Sequence, residues 1–224
     1  TKNADRIIFE QKDDGSFESG FNGPYRDIET PLRITGHNLI TLLKVYEITK
    51  KNIYIDSARK SLEYILKPEN RPMMEVFWHR KSEHKDSSNG LIGQAWTIEA
   101  LTYSYNYFRE DKIIDLCLDL IKKIKFNNNY SLWNIKNVDG MDLGMDMSFN
   151  HQLWYCAEIY KLADYDENIK NNCNNFINNI FRSLNISNNG LINHIVNLKK
   201  LMFNKFDKKL IKPYLFGIIK YKKL

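Results

Sequence analysis

Apolar residues recur along this chain at helical spacing, in paired stripes separated by short polar turns. Leu39, Leu42, Leu43 and Tyr46 stand at i, i+3, i+4 and i+7, as do Ile98, Leu101, Thr102 and Tyr105, and Leu153, Cys156, Ala157 and Tyr160. That spacing puts each set on one face of a helix. A second stripe follows each first one: Tyr54, Ala58, Leu62 and Ile65; Ile113, Leu116, Cys117, Leu120 and Ile124; Ile169, Cys173, Phe176, Ile177 and Ile180. The connections Thr49–Asn52, Arg109–Lys112 and Asp164–Asn168 are short enough for antiparallel αα-hairpins.

The hairpins repeat. His37, Gln94 and His151 each open an aligned helical segment, 57 residues apart at both steps. Extended, aromatic-rich pieces lie between them: Gly15–Phe17, Val76–His79, Leu132–Asn134 and Gly190–Ile192. These break the helical period and read as loops or short strands at one rim. The expected architecture is all-α: tandem hairpins at about 33–66, 91–125 and 148–182, with part of a fourth after 197, in one domain over 1–224. Six such hairpins in a closed toroid would need about 340 residues, and the chain has 224. The expectation is an incomplete (α/α)6 ring, completed by a longer chain or by self-association.

Composition narrows the function. The net charge is +6, but residues 199–224 hold nine lysines and one acid, which leaves the body slightly acidic. A basic body gripping phosphates is not the pattern, so nucleic acid is not expected as a partner. No apolar run is long enough to span a membrane, and Thr1–Arg6 is polar, unlike a signal peptide. Cys117, Cys156 and Cys173 fall on helical apolar stripes and read as buried thiols of a reducing, cytoplasmic compartment. They are too far apart for a ligand cluster, and no phosphate loop or nucleophile elbow exists, so neither metal nor cofactor is expected.

Candidate chemistry gathers near the helix starts. His37, Gln94 and His151 are polar residues at an otherwise apolar rim, where they either bond the adjacent loop or meet a polyhydroxylated ligand. Carboxylates precede the helices: Asp27 and Glu29, Glu83 and Asp86, and Asp139, Asp142 and Asp146. Such acids cap helices; facing each other across a cleft, they supply the acid and the ionised partner of glycosyl chemistry. Asp86 with Asp27 or Glu29 is the expected pair, and close approach would leave one of two such acids holding a proton near neutral pH. Trp78, Trp96, Trp133 and Trp154 lie in rim loops or near helix starts, with His79 beside Trp78. Indoles there stack on sugar rings or fill the interface between repeats.

Asp86-Ser-Ser-Asn-Gly-Leu-Ile-Gly93-Gln94-Ala95-Trp96 resembles the motif of unsaturated glucuronyl hydrolases, in which an aspartate and a serine precede an Arg-Gly-Gln-Ala-Trp helix start. The resemblance implies Asp86 as general acid/base and places the family's upstream aspartate near Asp27 and Glu29. The run from Asp27 to Ile65 resembles hairpins of the wider six-hairpin glycosidase group, which includes rhamnogalacturonyl hydrolases and sugar 2-epimerases, and Asp13-Asp14-Gly15-Ser16-Phe17 is similar to a rim motif of such toroids; the resemblance covers residues 13–197. Ile92 stands where the family has arginine, which removes a donor for a uronate carboxylate. Two readings follow: an enzyme acting on a saccharide, as hydrolase or epimerase relative, or a non-catalytic α/α module that binds a glycan or protein. A terpene-cyclase type of barrel, suggested by Gln11–Phe17, lacks the acid-rich ionising motif that chemistry needs.

Overall fold

The computed structural model describes residues 2–22, 26–183, 191–192 and 194–196. The fourth hairpin, the lysine-rich tail, Tyr25 and Gly190 lie outside them. Among the described residues the helices are α1 (Lys2–Glu10), α2 (Leu32–Thr49), α3 (Asn52–Ile65), α4 (Gly90–Phe108), α5 (Asp111–Lys123), α6 (Phe149–Tyr160) and α7 (Glu167–Ser183). No helix among them is long and apolar enough to cross a membrane.

The helices form two layers. α2, α4 and α6 pack side by side, and α3, α5 and α7 each pack on the back of their hairpin partner. The hairpin turns are sharp because Lys50 and Arg109 adopt left-handed backbone at the ends of α2 and α4 and donate their amides to Tyr46 and Tyr105. The core runs between the layers. Leu39, Leu42, Leu43, Tyr54, Ala58, Leu62, Ile98, Leu101, Ile113, Cys117, Leu120, Ile159, Cys173 and Phe176 are all buried. The stripe expected on α6 is an exception. Cys156 is buried, but Leu153 is 40% exposed, Tyr160 is 50% exposed and Ala157 is also exposed; Gln152, Tyr155 and Ile159 face the core instead.

Short strands run along the rim where the inner helices begin. β1 (Phe21–Asn22) pairs antiparallel with β2 (Asp27–Ile28). β3 (Phe126–Asn127), β4 (Leu132–Lys136) and β5 (Asp142–Met145) form an antiparallel sheet in that order. Each unit's rim is stitched to the next. The Thr30 amide donates to the His79 carbonyl at 2.9 Å, Lys81 to Ile28 at 2.9 Å, and Val196 to Met147 at 2.9 Å. Asn137 accepts the Ser87 amide at 2.9 Å.

Those contacts correct the repeat. In the second unit Gln94 clamps Phe77, accepting its amide and donating to its carbonyl, both at 2.9 Å, and donates also to the Ser88 carbonyl. In the third unit the same clamp is made by Gln152 on Trp133, at 3.0 and 2.8 Å, and on the Asp146 carbonyl. In the first, Thr35 accepts the Phe17 amide at 3.2 Å. The equivalent positions are therefore Thr35, Gln94 and Gln152, separated by 59 and 58 residues rather than 57. The true counterparts of His37 are Trp96 and Trp154, and His151 corresponds to Gly93.

Candidate functional site

The corrected register explains why particular carboxylates gather at the rim. Eight residues before the clamp stand Asp27 and Asp86; six before it stand Glu29, Ser88 and Asp146. Successive units thus deliver acids to matching places beside the starts of α2, α4 and α6.

Asp86 and Asp27 are brought together. Arg80, 12% exposed, reaches Asp86 Oδ2 through Nη1 at 3.0 Å and lies 3.9 Å from Asp27 Oδ2 through Nε. Lys85 pairs with the same Asp27 oxygen at 2.5 Å. The Arg80 guanidinium thus lies near both carboxylates, bonded to Asp86 and 3.9 Å from Asp27. Arg80 between them offsets the mutual repulsion expected of a bare pair. The other oxygen of Asp86, Oδ1, accepts the Ser88 hydroxyl at 3.0 Å and the Gly90 amide at 2.5 Å, so Asp86 also holds the first amide of α4.

Glu29 behaves differently. It is 1% exposed and held bidentate by Arg33, with Nε and Nη2 between 2.6 and 3.0 Å from its carboxylate oxygens. That pair ties the rim strand to the first turn of α2. The Arg33 guanidinium lies 5.5 Å from the Trp96 ring centroid. His37 and His79 approach the same indole edge-on, at 5.8 and 6.4 Å.

His79 is 1% exposed and shares a 2.9 Å hydrogen bond with Thr97 through Nε2, while its Nδ1 has no hydrogen-bond partner. Burial first, and then Arg33, His37 and Arg80 nearby, push its pKa down to about 3. His37 is lowered by burial and by Arg33, against the pull of Glu99. Loop and helix meet here because Gly93 has no side chain: a Cβ would stand 2.2 Å from the Ser88 carbonyl oxygen and 2.9 Å from His79 Cδ2.

On the far side of the α4 start, Asp146 is 1% exposed and accepts the amides of Leu91 at 3.1 Å and Ser148 at 3.0 Å. Its Oδ2 lies 2.8 Å from His151 Nδ1. Burial opposes ionisation of Asp146, but His151 and the two amides outweigh it and hold the pKa below the usual range. Gly90, at φ +60°, fits beneath them; a Cβ there would be 2.8 Å from Asp146 Oδ2 and 3.3 Å from His151 Nδ1. The His194 ring stands perpendicular to His151 at 6.2 Å. A carboxylate on one imidazole nitrogen fixes the tautomer and directs the other nitrogen outward, the arrangement a proton-transfer histidine needs.

The remaining expected residues divide. Trp96 and Trp154 project from equivalent places on α4 and α6, Trp154 being 42% exposed. Trp78 is half-buried and donates to the Arg80 carbonyl at 2.8 Å. Gln94 is 1% exposed, with its amide engaged by backbone. Trp133 is 1% exposed and packs on Phe126, Tyr155 and Phe176, inside the core rather than on a ligand surface. Arg80, Arg33 and His194 were not singled out from the sequence. Arg80 lies in an irregular loop with no period to mark it. Asp146 was visible as one of several acids, but its pairing with His151 depends on the clamp register. Among the described residues no group of His, Cys, Asp and Glu is arranged to hold a metal ion.

No family model matches the chain. Over 185 residues it is 36% identical to archaeal glycosylation protein Q of Haloferax volcanii, covering 82% of this chain and 50% of that protein. Its fold is similar to that of cellobiose 2-epimerase from Bacillus thermoamylovorans, with a TM-score of 0.64 at 16% identity over 87% of this chain and 57% of that one. The cellobiose 2-epimerase of Spirochaeta thermophila gives 0.59 at 13% identity, covering 80% and 50%. A family 105 glycoside hydrolase of C. acetobutylicum gives 0.59 at 12% identity, covering 85% and 59%. The fold is that of the α/α-toroid enzymes. The chain spans about half the length of the proteins it matches.

Proposed function

We propose that this chain carries the saccharide site of a carbohydrate-active protein, at the rim where α2, α4 and α6 begin. The observation that carries the reading is the Asp86–Arg80–Asp27 arrangement: two carboxylates from equivalent positions of successive units, Asp86 bonded to the Arg80 guanidinium and Asp27, paired with Lys85, 3.9 Å from it. Asp86 acts as general acid/base and Asp27 as the second carboxylate, while Glu29, locked on Arg33, holds the rim in place. Trp96, with His37 beside it, provides the aromatic surface for a sugar ring, and Trp154 extends it along the same wall. Likeness to an archaeal glycosylation protein and to sugar epimerases and hydrolases supports a saccharide as the ligand. In this reading the three hairpins are part of a larger ring, and an uronic-acid or amino sugar is the substrate to try first.

A second acid/base assignment has its own observation. The buried Asp146 orients His151, whose ring is partly exposed beside the start of α4. Proton transfer at a sugar carbon, as an epimerase requires, would use this imidazole.

Single substitutions in the longest natural form of the protein separate the assignments, assayed for turnover and binding on a panel of uronides and amino sugars. Asp86→Asn is expected to lower turnover about a hundredfold or more, the usual weight of a positioned acid/base. Undiminished turnover in Asp86→Asn with loss in His151→Asn would transfer the role to His151. Binding without turnover in the unsubstituted protein would favour a non-catalytic glycan-binding module.

A further inference from the structure

Beyond Trp96, α4 and α6 border a shallow groove of about 420 Å³. Phe149, Leu153, Trp154, Ala157 and Glu158 line it from α6, and Glu99 lines it from α4. Leu153 is 40% exposed and Trp154 is 42% exposed. Glu99 stands three residues after Trp96 on the same helix, so the two side chains share a face. The groove therefore adjoins the Trp96 surface.

Most acids of this wall are matched by a cation. Arg33 holds Glu29, Lys85 pairs with Asp27, Arg80 with Asp86, and Lys161 with Glu158. Glu99 is not matched. Its carboxylate is half-buried and makes no ion pair or hydrogen bond among the described residues. The His37 imidazole feels the Glu99 charge, but burial and Arg33 keep it neutral near neutral pH, so it does not balance that charge. Glu158 feels it too: burial first raises its pKa, Lys161 pulls it down, and Glu99 raises it further. The groove thus offers an acceptor-only carboxylate and an exposed indole, while the nearby Arg33 guanidinium is engaged by Glu29. A second negative group placed there would be repelled, and a cation would find both a counter-charge and an aromatic face.

We propose that Glu99 is a specificity-determining residue of the rim cleft, which admits a sugar unit carrying a free amine to the groove beside Trp154 and excludes a uronate from it. The inference rests on the saccharide reading and decides between the two sugar classes which that reading leaves open. The ammonium donates to the Glu99 carboxylate and lies against the Trp154 ring. The apolar C–H face of the same sugar covers Leu153.

Isothermal titration of the longest natural form tests it with three disaccharides: cellobiose, and its analogues in which one glucose is replaced by glucosamine or by glucuronic acid. The glucosamine form is expected to bind about tenfold tighter than the glucuronic acid form, the weight of one hydrogen bond to a charged group. Glu99→Gln removes that preference and Glu99→Lys inverts it, whereas loss of a merely structural contact would weaken all three ligands alike. Equal affinity for the two charged forms in the unsubstituted protein would overturn the inference. So would a preference that both Glu99 variants leave intact. In either case, binding that Trp96→Ala weakens would leave the saccharide site standing. Binding of none of the three would overturn the saccharide reading, and this inference with it.

Discussion

His79 is one of three lowered histidines, with His37 and His194, that tie the protein's stability to acid. Its pKa in the folded chain is pushed down to about 3 from an ordinary value of 6.5, by burial first and then by Arg33, His37 and Arg80. The unfolded chain therefore binds the proton first. The stability contribution is complete above pH 6.5 and is lost as pH falls toward 3, at a slope of up to about 1.4 kcal/mol per pH unit. Asp146, also lowered, adds its own loss below the ordinary aspartate range. Urea denaturation from pH 7 to pH 4 measures this, and His79→Gln is expected to flatten the slope by about one proton. A slope unchanged by that substitution would mean that another group takes up the proton. None of this is legible in the sequence, where His79 stands beside Trp78 in a rim loop. Its burial follows from the Gly93 notch, and a motif does not reveal what packs into the space that a glycine leaves.

The polar clamp is what makes each inner helix hold its rim strand. Gln94 and Gln152 each satisfy both backbone groups of a buried aromatic residue and the carbonyl of a loop residue six positions upstream. Gln94→Leu leaves the Phe77 amide and two carbonyls buried without partners. The expected cost is about 3 kcal/mol or more, since each of the three unpaired buried groups carries about 1–3. Thr35→Val in the first unit removes one bond only and should cost about 1 kcal/mol. Chemical denaturation of both variants checks the order of the two effects. The helices of the hairpins could be read from their stripes because burial on one face enforces the 3.6-residue period. The third inner helix was set in the wrong phase, because Leu153, Ala157 and Tyr160 form an apolar stripe as regular as the buried one. Spacing alone does not say which of two apolar faces meets the core. The aligned polar residues could be seen, but their register needed the hydrogen bonds.

Across the whole molecule, the two-layer array encloses its thiols. Cys117 is pushed up to about 12 by burial, and Cys156 is raised by its contact with Cys173 and by burial. Labelling of the native chain at pH 8 should leave all three unreacted over a time in which the denatured chain reacts fully. Fast native labelling would mean that α5, α6 and α7 open readily from the array. The same packing brings Asp86 and Asp27 together from residues 59 apart in sequence, an outcome anticipated from the repeat and achieved through Arg80, which the repeat did not mark. The most direct test of the saccharide site is a crystal structure of the Asp86→Asn variant with an oligosaccharide that the natural protein binds. A sugar ring lying on Trp96, with a glycosidic or ring oxygen within hydrogen-bond reach of residues 86 and 27, is the predicted result. A sugar bound on the outer helices, with the rim of α2, α4 and α6 unengaged, would contradict it.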